Sequence, residues 1–383
     1  MTRPLTRRQL LERAALGGAA LTLPGFLAAC GGGGDGGDAG GDELAAVLRF
    51  ANWPLYIDID EETKKRPTLD EFTRRTGVAV DYFEEINDNA EYFAKVQGPL
   101  SQGRGIDRDI FVFTDNSRFP GLLIDEGWVQ KLDKELIPNI SNLIEAQASP
   151  PFDPEREYSL PWQSGMTGIA WNEELTGPVT SIEQLFEDAK LKGKVSMLME
   201  QADSVGLVML ANGDDPAEVS DETYDRAIDR VQAAVDSGQV VRFTGNDFAQ
   251  PLTQGELAAC VAWSGDMIQL LADNPKLKWG VPKDGGMIWT DNMFIPTGGS
   301  VPTASTYMNY VYEPPVAAKI AAYVNYVPPV QGAKEELLKI DPEIANNTLI
   351  IPDDELLAQL HQYDSAALAN DEHISKWQTV LGQ

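Results

Sequence analysis

Three tryptophan-centred segments hold the side chains with the most recognisable chemistry in this chain of 383 residues. Asn52-Trp53-Pro54-Leu55-Tyr56 comes directly off an apolar run, Trp263-Ser264-Gly265-Asp266 comes off another, and Trp289-Thr290-Asp291 follows the Gly285-Gly286 turn. Two of the three place an aspartate within three positions of the indole. An electron-rich ring attracts a cation by about 0.5–2 kcal/mol, more in a drier site, and a neighbouring carboxylate adds a charge-assisted hydrogen bond. Together they replace the hydration that an ammonium loses on burial. The ends of strands are also where open α/β sheets carry ligand-binding loops.

Other chemistries find few residues. His361 and His373 are the only histidines. The first falls in a helical-looking acidic stretch and the second beside Asp371 and Glu372, so both are expected to be solvated, and neither histidine-based hydrolysis nor zinc ligation is expected. Cys260, in Leu257-Ala258-Ala259-Cys260-Val261-Ala262-Trp263, is expected to be buried and unreactive, and no disulfide framework is available. No G-x-G-x-x-G stands between a strand and a helix, and no G-x-x-x-x-G-K-[ST] occurs, so no nucleotide cofactor has a motif to rest on. Neither a cofactor, a resident metal nor a catalytic group is expected. The net charge is −29, and residues 1–29 contribute four arginines and one glutamate, leaving about −32 on the remainder. Such a surface repels nucleic acid and anionic lipid headgroups.

The elements that must position these loops alternate in type. Val47–Ala51 reads as a strand, a helix through Leu69, Phe72 and Thr73 stops at Gly77, and Val78–Phe83 reads as the next strand. Asp109–Phe113 is continuously apolar, as in a strand covered on both faces. Ser220 can cap a helix whose Tyr224, Ala227, Ile228, Val231 and Val235 form one stripe, and Val240–Thr244 returns as a strand. Lys276–Pro282 reads as another. This rhythm predicts an α/β protein with largely parallel sheets. From Leu44 to Gln383 there are about 340 residues, too many for one ordinary core, which predicts two lobes.

The N-terminal segment carries an address. Thr6-Arg7-Arg8-Gln9-Leu10-Leu11 has a twin-arginine export pattern, an apolar run spans Ala14 to Ala28, and Leu27-Ala28-Ala29-Cys30 resembles a lipobox. At about fifteen residues the run falls short of the roughly 20 that span a bilayer. Residues 1–29 are therefore expected to be a signal peptide, with Cys30 lipidated and residues 30–44 a glycine-rich tether. The expected location is the cell envelope or periplasm, held to a membrane through Cys30.

Six segments, in matching order and spacing, resemble the solute-binding proteins of bacterial polyamine ABC importers, the spermidine/putrescine type. They are Phe50–Tyr56, Glu126–Asp133, Pro151–Pro154, Tyr158–Trp162, Ala262–Asp266 and Gly285–Asp291. The resemblance covers Leu48 to about Ile340. It implies a two-lobed periplasmic-binding-protein-like fold of type II, with a ligand cleft between lobes and hinge crossings near Gly165 and Asp291. Residues 45–164 plus 292–333 would form lobe 1, and residues 165–291 plus 334–383 lobe 2. It assigns aromatic walls to Trp53, Tyr56, Trp263, Trp289 and Tyr326, and an ammonium-binding carboxylate to Asp291. A second acidic position falls on Glu200 or Asp203. The implied partners are a small cationic solute and the transmembrane subunits of a permease, with the receptor a monomer and no bond made or broken.

Departures bear on the ligand. Pro54 and Leu55 stand where the family has a small polar residue and a glutamate, and the loop after Phe113 is longer, so Asp115, Asn116 and Ser117 compete for one contact. Two other readings stay open. One keeps the fold but binds an amino acid derivative, a sugar or chelated iron; for iron, Tyr323 and Tyr326 supply a pair, though helical spacing places them on one packing face. The other is an enzyme of glycosidase type with two carboxylates flanking a cleft.

Overall fold

The computed structural model describes residues 43–60, 62–86 and 88–382; the export signal, Cys30 and the expected tether as far as residue 42 lie outside them, whereas Leu44 at its end packs against the first lobe's apolar residues. Among the described residues no helix is long and apolar enough to cross a membrane. Three strands, β1 (Val47–Asn52), β2 (Ala79–Glu84) and β3 (Ile110–Thr114), pair in parallel with β1 in the middle. The helix between β1 and β2, Pro67–Thr76, starts on a proline, whose missing N–H is not needed in a first turn, and ends at Gly77 with φ 79°. β3 is buried along its whole length, as its unbroken apolar run requires. The short β4 (Val129–Gln130) and the long β5 (Ser159–Asn172) follow. The second half of the chain adds β6 (Val195–Leu198), β7 (Val240–Thr244), β8 (Ala259–Trp263), β9 (Leu277–Gly280), β10 (Gly286–Pro296) and β11 (Leu360–His361).

The strands run β2-β1-β3-β10-β5-β8-β6-β7 across one mixed sheet. The flanks are parallel, as the alternating pattern predicts, but the centre is not. β10 is antiparallel to both β3 and β5, and β5 is antiparallel to β8. These two long strands belong to both halves. β5 pairs through Ser159–Gln163 with the C-terminal part of β10, and through Thr167–Asn172 with β8 and β9. The register of β10 against β5 shifts between Asp291 and Asn292, so Asp291 sits at the irregularity.

Two apolar cores lie on either side of this crossing. One gathers Leu48, Phe50, Phe111, Trp162, Phe294 and Tyr307; the other Ile169, Val195, Val208, Tyr224, Val261 and Trp377. The segment after Ala333, expected in its entirety with the second lobe, divides. Leu337 and Ala345 pack on Ala318 and Ala321 of the helix Pro314–Val324, which itself faces the first core. Only from about Tyr363 does the chain join the second core. The small alanines of that helix offer this segment a second close-packing face.

The histidines also differ from expectation. His373 is 2 % exposed, stacked on Tyr224 with ring centroids 3.8 Å apart, and its Nε2 lies 3.0 Å from Asp221 Oδ1. It shares one face of the helix Asp371–Leu381 with Trp377 and Val380, and that face packs against the helix Asp221–Asp236. His361 falls on β11 and not on a helix. Cys260 is buried on β8, and burial holds its thiol well above the usual range.

Candidate functional site

Where the two cores face each other, a cleft opens beside the crossing strands, with about 480 Å³ of space that includes its opening to solvent. Seven of the eight side chains singled out from the sequence line it: Trp53, Tyr56, Glu200, Trp263, Trp289, Asp291 and Tyr326. Trp53 and Tyr56 come from the segment after β1, Trp263 from the end of β8, and Trp289 and Asp291 from alternate positions on β10, which point to one face of the strand. Tyr326 follows the helix Pro314–Val324. Asn325 caps that helix in the left-handed conformation at φ 60°, which breaks the helical spacing between Tyr323 and Tyr326. The pair therefore does not share one helical packing face, and Tyr326 turns into the cavity.

The rings make a continuous wall. Trp263 and Trp289 meet edge to face with centroids 6.4 Å apart, Trp289 and Tyr326 at 5.6 Å, and Tyr326 and Tyr56 at 5.4 Å. At the end of this wall stands Asp291, 4 % exposed, its Oδ2 accepting from the Tyr56 hydroxyl at 2.6 Å and its Oδ1 from the Thr114 hydroxyl at 2.6 Å. Each oxygen keeps a further lone pair for a ligand. Burial pushes this carboxyl up to about 6, even though the two hydroxyls act to lower it. Glycines make the arrangement possible: a Cβ on Gly165 would lie 2.5 Å from the Trp289 ring, and one on Gly265 2.3 Å from the Tyr326 ring.

The two acidic candidates on the far side part company. Glu200 lines the cavity, and its Oε1 accepts from Asn89 Nδ2 at 3.2 Å, which joins the two halves across the opening. Burial, and then the charges of Asp88 and Asp203, push its carboxyl up to about 8. Asp203 is fully buried and does not line the cavity. Its Oδ2 accepts from Trp263 Nε1 at 2.8 Å and its Oδ1 from Thr167 Oγ1 at 2.8 Å, and Thr167 Oγ1 in turn accepts from Trp289 Nε1 at 3.1 Å. One carboxylate, itself raised to about 6 by burial, thus orients two indoles from different strands.

Other residues also line the cavity. Asp266 closes the mouth, its Oδ2 3.3 Å from Asn246 Nδ2 and 3.4 Å from the Tyr326 hydroxyl. It was visible in Trp263-Ser264-Gly265-Asp266. Asn89, Thr114 and Asn246 had no pattern to reveal them. Of the three residues competing in the loop after β3, Asn116 reaches the cavity, whereas Asp115 Oδ1 accepts from the Thr290 backbone and Ser117 Oγ donates to Thr114 O.

A sheet shared by two cores, with an aromatic cavity at the strands that connect them, defines a two-lobed binding protein. The chain belongs to the bacterial extracellular solute-binding protein family, whose model matches residues 68–351. It is 27 % identical over 320 residues to the spermidine/putrescine-binding periplasmic protein of Escherichia coli K12, covering 81 % of this chain and 84 % of that one. It is 25 % identical over 343 residues to the putrescine-binding periplasmic protein SpuD of Pseudomonas aeruginosa, covering 83 % and 86 %. The fold is shared with the substrate-binding protein PotD of Streptococcus pneumoniae, at 23 % identity and a TM-score of 0.70 over 88 % of this chain and 100 % of the other.

Proposed function

We propose that the chain is the substrate-binding receptor of an ABC importer and captures a polyamine of putrescine or spermidine type in the cavity between its lobes. The observation that carries this reading is the run of rings from Trp263 to Tyr56 ending on Asp291, with Glu200 across the opening and Asp266 at the mouth. The rings suit the methylene run and its charge, and the carboxylates suit the ammonium ends. The polyamine-binding names of its relatives support the choice of ligand. No catalytic role is assigned. Lobe 1 takes residues 45–164 and 292 to about 351, and lobe 2 takes residues 165–291 and those from about 352 onward; closure about the β5 and β10 crossings presents the liganded form to a permease. The receptor acts as a monomer, exported by its twin-arginine signal and held to a membrane by lipid on Cys30.

Titration calorimetry against putrescine, spermidine, spermine, betaine and neutral sugars tests the reading. Amine binding tighter than about 0.1 mM, roughly −5.5 kcal/mol, is expected, and its absence sinks the proposal.

Binding should also move protons. An ammonium needs ionised partners, yet without ligand Glu200 holds its proton below about pH 8 and Asp291 below about 6. Affinity is therefore expected to rise as pH climbs from 6 to 8, and binding at pH 7 to release protons. Calorimetry at pH 7 in two buffers of different ionisation heat reads this directly. Equal enthalpies in both would show that the carboxyls are already ionised.

A further inference from the structure

A second cavity lies on the other face of β10. Along that strand Trp289 and Asp291 line the main cavity, whereas Ile288 lines this one. It exists because the sheet has a gap: β10 pairs with β11 at Gly286 and Met287, and with β3 only from Asp291 onward. Thr290 in between is held by Asp115, through Thr290 N to Asp115 Oδ1 at 2.7 Å and Asp115 N to Thr290 O at 2.9 Å. The resulting recess, whose 400 Å³ or so includes space open to solvent, lies between the loop after β3 and the segment after β11, walled by Asp115, Asn116, Phe152, Ile288, Tyr363 and Ser365.

We infer that this cavity is a second site for an alkylammonium group, resting on the polyamine reading of the main cavity. Its walls repeat that chemistry with different residues. Phe152 and Tyr363 supply rings, Asp115 a carboxylate, and no lysine or arginine lines it. Among the described residues Asn116, 8 % exposed, has no partner for its Oδ1, whereas the Tyr363 hydroxyl faces Gln201 and leaves its ring to the cavity. The Asn116 oxygen can accept from an ammonium. Burial pushes the Asp115 carboxyl up to about 7, so a cation beside it would favour ionisation. The nearby Arg156 guanidinium is committed to Gln147 O, Ser159 Oγ and Asn292 Oδ1 and stays outside the lining.

Asn116 lines both cavities, which makes them neighbours. The ammonium group has two sources: the far end of a long polyamine already seated in the main cavity, or a second small amine. Calorimetry of the full-length protein with putrescine and with spermine, on wild type, Asp115→Asn and Tyr363→Leu, separates them. In the first case spermine binds once, and each variant weakens it at least about tenfold while changing putrescine less than about twofold. In the second, putrescine shows an additional weaker event that the variants abolish. Tyr363→Leu keeps the test valid if Asp115→Asn disturbs Thr290. The inference is overturned if both amines bind once and Tyr363→Leu treats them alike. A wild-type protein that binds no amine at all overturns the polyamine reading itself and this inference with it.

Discussion

Asp291→Asn is expected to weaken polyamine binding by roughly 100-fold at pH 8, about 3 kcal/mol, with little change in folding. The carboxylate sits at 4 % exposure, and its hydrogen-bonding neighbours, Tyr56 and Thr114, are neutral hydroxyls. An ammonium seated against it brings the countercharge that the unliganded site lacks. In the amide variant that ammonium would lie in a dry, ring-lined cavity with its nearest charge removed, which is far costlier than losing a surface ion pair. The fold should tolerate the change, because the amide keeps the shape, and its oxygen can still accept from one hydroxyl while its nitrogen donates to the other. The difference between wild type and variant should shrink as pH falls below about 6, where the wild-type carboxyl is itself protonated before binding. Calorimetry at pH 8 and pH 5 gives both numbers. Equal affinities at pH 8 would remove Asp291 from the site.

The parts of this molecule that were legible in its sequence are those where a local pattern and a tertiary role coincide. β3 is an unbroken apolar run because both its faces are covered, and the helix Asp221–Asp236 shows its stripe because one face meets the second core. The ring-bearing segments could be read because each follows a strand whose apolar run is visible. The central strands were harder. β5 contains Pro161, Gly165 and Gly168, residues that ordinarily punctuate strands, and here they serve close approach: a Cβ on Gly168 would lie 2.5 Å from Gly280 O. That concealed a fourteen-residue strand, and with it the antiparallel centre of the sheet.

The acidic residues show a different limit. Glu200 and Asp203 stand three apart, and nothing local says that one faces the cavity while the other lies behind Trp263. Their roles are set by β8 and β10, strands more than fifty residues away in the chain. His373 was misread for the same reason: its charged neighbours suggested solvent, whereas Tyr224, distant in sequence, covers it. Asn89, Thr114 and Asn246 are single polar residues whose only signal is position in the folded cavity.

Gly265→Ala is expected to weaken ligand binding about fivefold to 150-fold, through overpacking worth about 1–3 kcal/mol, while leaving the fold intact. Gly265 opens the helix Ser264–Asp273, where alanine is intrinsically favoured over glycine by up to about 1 kcal/mol, so the backbone itself does not object. The obstacle is the ring of Tyr326: the added carbon would lie 2.3 Å from its Cε2 and Cζ. The ring cannot simply slide, because Trp289 and Tyr56 flank it at 5.6 and 5.4 Å and its hydroxyl lies 3.4 Å from Asp266 Oδ2. Movement away from Gly265 therefore disturbs the aromatic wall or takes the ring into the cavity that the ligand must occupy. A double-mutant cycle makes the mechanism testable. In a Tyr326→Ala background the same glycine substitution should cost almost nothing, because the obstructed ring is gone. If Gly265→Ala costs as much there as in the wild type, the clash is not with Tyr326, and if it costs nothing in either, the ring is not held where its neighbours place it.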